Sequence, residues 1–103
     1  MSHTFFNELW AQAQVEFRSI IKEEKKGGTI SGDRLQILGI LGELYYKYVS
    51  IYKKLDMVYD QLVHPQKLPL VRRLLDMTIA RILEIRDVMV RTELSEYFYL
   101  GNI

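Results

Sequence analysis

The sequence has no cysteine, only two prolines, no long apolar run and no surplus of charge of either sign. Without cysteine there can be no disulfide and no thiolate metal site, and a reducing compartment is compatible. No uninterrupted apolar stretch approaches the ~20 residues of a bilayer-crossing helix. The N-terminus does not read as a signal peptide either, because Glu8 and Gln12 interrupt its apolar positions and no basic residue precedes them. The formal net charge is +1, and the balance is local: Arg18, Lys22, Lys25 and Lys26 face Glu8, Glu16, Glu23 and Glu24 within residues 1–32. With no basic stripe, there is no electrostatic footprint for nucleic acid or an anionic membrane. A chain of 103 residues forms one domain at most, which is short for an enzyme with its own cleft.

What is present is helix. Helix formers dominate, 49% of residues are hydrophobic, Pro65 and Pro69 sit together, and five of the six glycines fall between Gly27 and Gly42. The composition therefore reads all-α. Phe6, Leu9, Trp10, Ala13, Phe17, Ile20 and Ile21 recur at three- and four-residue steps, predicting an amphipathic helix over about 4–26 with Ser2 or Thr4 as its cap. Trp10 is the anchor of that helix and a candidate partner contact. A second helix over about 33–63 starts at Ser31 or Asp33. Its seam alternates Leu38, Tyr45, Tyr52 and Tyr59 with Leu41, Tyr48, Leu55 and Leu62, the period of coiled-coil packing, while Leu44, Ile51 and Val58 widen one flank. Tyrosine hydroxyls need a partner or water at an edge, so the seam predicts a broad bundle rather than a narrow zipper.

The chain turns at His64-Pro65. Pro65 disfavours helix at His64, and Pro69 suits the first position of a third helix over about 68–98, so the two long helices form an elongated antiparallel hairpin in an open three-helix arrangement. Val71, Leu75, Ile82, Ile85 and Met89 line the inner face of the third helix. Tyr97, Phe98 and Tyr99 follow as an aromatic cluster ahead of Gly101, a segment that needs covering. Candidate interface residues are therefore Trp10, Tyr45, Tyr48, Tyr52, Tyr59, Tyr97, Phe98 and Tyr99, with His64, Pro65 and Pro69 as the bend.

Catalytic constellations are missing. Gly27 to Arg34 has the glycine spacing of a phosphate-binding loop, but Asp33 stands where the lysine belongs and would repel phosphate, and a helix precedes it instead of a strand. His3 and His64 have no second ligand near them, so neither metal nor general base is expected. Gly39 and Gly42, inside the second helix, predict close approach of another helix backbone. No Ser/His/Asp arrangement, paired carboxylates or calmodulin-binding IQ pattern can be assembled, and the expectation is a non-enzyme without cofactor.

The run from Leu44 to Asp56, the segment Val58-Tyr59-Asp60-Gln61-Leu62-Val63-His64-Pro65-Gln66-Lys67, Leu75-Asp76, Arg81-Ile82-Leu83-Glu84 and Glu93 to Leu100 resemble the N-terminal region of the IQ and AAA domain-containing proteins. That family includes the eleventh subunit of the nexin-dynein regulatory complex of motile cilia. The likeness is strongest over 44–103. It departs at Leu68-Pro69, where a basic and an aliphatic residue are usual, and at Gly101-Asn102, where acidic residues are usual. The resemblance implies a single docking module over 1–103, the N-terminal fragment of a longer protein whose IQ motif and AAA module are not in this chain. It implies a cytoplasmic scaffold of the ciliary or flagellar axoneme that helps regulate dynein through contacts with other helical subunits and the doublet microtubule. Calmodulin would enter only through the IQ motif, and ATP with magnesium only through the AAA module. Two other functions fit the same residues: a partner-recruiting region of an AAA ATPase acting outside the axoneme, and a bundle that self-associates through the tyrosine seam.

Overall fold

The computed structural model describes residues 2–27, 32–61 and 65–101, with side chains for 4–27, 32–61 and 65–93. Three long helices occupy them: α1 (Ser2–Gly27), α2 (Arg34–Gln61) and α3 (Leu68–Gly101), the last preceded by a 3₁₀ turn at Pro65–Lys67. The described residues contain no strand. α2 is central. It packs against both of its neighbours, whereas α1 and α3 make no close backbone approach to each other. The molecule measures 62 × 25 × 20 Å, so the expected open, elongated arrangement holds.

Side-chain pairs give the directions. Glu16 bonds Lys54, and Glu23 meets Lys47 at 3.0 Å, so a rise of seven residues along α1 matches a descent of seven along α2. The Arg72 guanidinium lies 5.9 Å from the Tyr59 ring near the bend, and α2 and α3 are likewise antiparallel. α1 and α3 consequently run parallel on either side of α2. Three helices in this order bury the line Leu41, Tyr48, Ile51, Leu55 and Val58, each at most 3% exposed, against Trp10, Ala13, Phe17 and Ile20 from α1 and Val71, Leu75 and Ile85 from α3.

The centre of the α2 seam therefore differs from the sequence expectation. Ile51 and Val58, read as a flank, are fully buried, while Tyr45, Tyr52 and Tyr59 are only partly buried. A helix packed from two sides buries the strip between its partners, and the tyrosines fall on the edge of that strip, where hydroxyls can reach water. Thr78, fully buried on α3, satisfies itself by donating to the Leu74 carbonyl at 2.7 Å.

The helix starts carry their own explanation. The Gln36 amide donates to Asp33 Oδ1 at 2.9 Å and the Asp33 amide donates to Gln36 Oε1 at 3.0 Å, a reciprocal capping box that selects Asp33 as the cap of α2. At the other end of the hairpin the 3₁₀ turn places Pro65, not Pro69, at the first helical position. Pro69 is second in α3, still within the turn where a missing donor costs nothing. Leu62, Val63 and His64, and with them part of the expected bend, lie outside the described residues, as does Gly28–Ser31 of the connector. Gly39 and Gly42 do not serve a close approach inside the molecule: a Cβ on either would meet nothing within 4 Å.

Candidate docking surface

A part-buried polar cluster among the described residues ties all three helices by side chains. Glu24 of α1 accepts from the Tyr48 hydroxyl of α2 and from the Arg81 guanidinium of α3, and Arg81 also reaches Glu84 at 3.0 Å. Burial first, then the hydrogen bond to Glu24, push the Tyr48 hydroxyl well above the ordinary phenol range. The same bond to Glu24 pushes the Arg81 guanidinium further above its already high value. Glu24 accepts from a neutral phenol on one side and a permanent cation on the other. This is an arrangement for holding helices, because a general acid or base needs a pKa near the working pH and neither partner has one. No His, Cys, Asp and Glu grouping able to hold a metal occurs among the described residues.

Above this junction α1 and α3 enclose a groove. Trp10, Gln14, Phe17 and Arg18 form one wall and Leu70, Arg73, Leu74 and Met77 the other. It continues past Ile21 and Ala80 to Tyr48, Arg81 and Glu84. Residues 10–24 and 70–84 are of equal length, so the walls run side by side for about 21 Å, or four helical turns. Its apolar lining is open to solvent on the α3 side, where Leu70 is 58% and Met77 46% exposed. A second groove lies between α1 and α2, with Val15, Ser19, Tyr46 and Ser50 in it, and its rims are bridged by the Glu16–Lys54 and Glu23–Lys47 pairs.

Of the candidate interface residues, the structure places Trp10 and Tyr48 in the chain's own core, with Phe17 edge-on to Tyr48 at 6.3 Å between centroids. Tyr45, Tyr52 and Tyr59 pack on that core. The side chains of Tyr97, Phe98 and Tyr99 lie outside the described residues, although the helix backbone continues through them to Gly101, three residues beyond the expected boundary at 98. The exposed apolar residues on the grooves are others: Val15, Tyr46, Leu70 and Met77. Helical period alone cannot single these out, because each adjoins a buried stripe and only the placement of the neighbouring helix decides which edge is covered.

Comparison with known proteins adds a family to this geometry. The pattern described as dynein regulatory complex subunit 11-like, N-terminal domain, matches residues 6–103. The mouse (Mus musculus) dynein regulatory complex protein 11 is 36% identical over 104 aligned residues, spanning 100% of this chain and 12% of the relative. The Chlamydomonas reinhardtii protein of the same name is 50% identical over 48 residues, 47% of this chain and 9% of the relative. The chain thus corresponds to a small part of each curated relative.

Proposed function

The chain belongs to the family of dynein regulatory complex subunit 11-like N-terminal domains, and on that premise we propose that it is a helical docking component of the dynein regulatory complex in the axoneme of cilia and flagella. The observation that carries this reading is the combination of a matched relative named for that complex with a three-helix layer whose α1–α3 groove is apolar and open. A layer of three helices leaves a row of side chains that a fourth helix can cover, which is how helical subunits join without a cofactor or a reaction. Contacts of this kind would help to regulate dynein at the link between doublets by positioning other subunits, the chain itself contributing no catalysis.

The test is a tagged copy of the chain, expressed in a flagellated cell that lacks its own relative of this family. Retention with the axoneme and co-purification with the other subunits of the complex are the expected result. A chain that stays in the soluble fraction while the complex assembles normally overturns the reading.

A further inference from the structure

We propose that the groove between α1 and α3 receives a single amphipathic helix from a different subunit, apolar along its inward stripe and carrying carboxylates on both flanks where it passes Arg18 and Arg73. This rests on the docking function proposed above and specifies the chemistry of the partner.

The charge pattern of the groove supports it. In the half nearer the hairpin bend both walls present an arginine, Arg18 from α1 and Arg73 from α3, and the lining there contains no acidic residue. Both arginines are exposed, and neither has an ion-pair partner among the described residues. In the other half the carboxylates Glu24 and Glu84 are both engaged by Arg81. The groove therefore offers two unpaired positive charges at the bend end, whereas at the other end Glu24 and Glu84 share the single guanidinium of Arg81. The second groove, between α1 and α2, lacks this property, because lysine–glutamate pairs already close its rims.

The occupant's shape follows from the walls. Two parallel walls about four turns long accept a helix of similar length, whose apolar positions at three- and four-residue steps would cover Leu70, Leu74 and Met77 on one side and the edge of Trp10 on the other. The arginine stems can lie along that helix while their guanidinium groups reach its flanking carboxylates. A second copy of this chain is the competing occupant. Its carboxylates from Glu16 onward on α1, and up to Asp87 on α3, already have basic partners within the chain, whereas Glu43, Asp56 and Asp60 on α2 have none among the described residues, and the test separates the two occupants.

Trp10, the single tryptophan, sits on the wall of the groove and reports its occupancy. Two synthetic helical peptides of about 18 residues, sharing one leucine stripe and flanked by glutamate or by lysine, are titrated into the full chain at low salt. The expected result is a saturable change in Trp10 emission, with the glutamate peptide binding at least about tenfold more tightly, a preference that shrinks as salt is added. Arg18→Glu with Arg73→Glu should invert the preference while the circular dichroism spectrum is unchanged, since both residues are exposed. Equal binding of the two peptides, binding of neither, or indifference to the charge reversal overturns the proposal. So does a wild-type dimer in sedimentation that Leu70→Asp dissolves, which would make the occupant a second copy. In the flagellated cell, a charge-reversed chain that incorporates as the wild type does removes this groove from the docking function and leaves that function standing. Failure of the wild type to incorporate removes the function itself.

Discussion

At Gly32 two requirements meet in one residue. Its φ of 131° lies where only glycine is comfortable, and a Cβ there would stand 2.5 Å from Gln36 Oε1, the atom that receives the Asp33 amide. Gly32→Ala should therefore strain the backbone and displace half of the capping box, costing about 1–2 kcal/mol. Chemical denaturation of the variant checks this; an unchanged midpoint would mean that the cap forms without the glycine.

Tyr48 supplies a second residue-scale prediction. Its pKa is raised in the fold, so the folded chain keeps the proton that the unfolded chain releases near the ordinary phenol value of about 10. The stabilisation is complete below that pH and is lost as pH rises above it. Tyr48→Phe should cost about 1 kcal/mol at neutral pH through the lost bond to Glu24. The gap should narrow above about pH 10, because only the wild type must keep a phenol neutral there. Guanidinium melts of both proteins at neutral and alkaline pH measure it.

At the scale of the element, α2 shows how far a sequence can be followed and where it stops. The existence and type of all three helices were legible from apolar steps and from punctuation at Gly27, Asp33 and Pro65, because those signals are local. Which strip of α2 is innermost was not. Ile51 and Val58 lie one position around from the tyrosine seam, and only a helix on each side of α2 moves the core onto them. The groove was illegible for the same reason, since Arg18 and Arg73 are far apart in sequence and become neighbours across it only because α1 and α3 both pack on α2. Gly39 and Gly42 mark a second boundary. They sit inside a helix with open space where their side chains would be, so nothing in the fold requires them. Gly39→Ala and Gly42→Ala should each stabilise the chain, by about 0.5–1 kcal/mol, through the higher helix propensity of alanine. Thermal melts decide it, and a loss of stability would reveal a backbone constraint.

For the whole molecule, the shape itself is measurable. A compact chain of this length has a radius of gyration of about 13 Å, whereas this one has 17.1 Å. Small-angle scattering should return the larger value and a distance distribution skewed as for a rod. A value near the compact figure would mean that α1 folds back differently or that the hairpin closes on itself.

The opposed directions of the helices carry a mechanical consequence. Trp10 lies beside Leu70 and Leu74 near the bend, so α1 starts at that end of the rod, while α3 runs away from the bend to Gly101. Tension applied between Ser2 and Gly101 is therefore directed along the 62 Å axis. It loads the α1–α2 and α2–α3 interfaces in shear, where buried rows and the heptad-spaced ion pairs must give way together, not one after another as they would if a helix were peeled from its end. An end-to-end pull on this fold therefore meets rows of contacts sheared along the helices and not a single helix end.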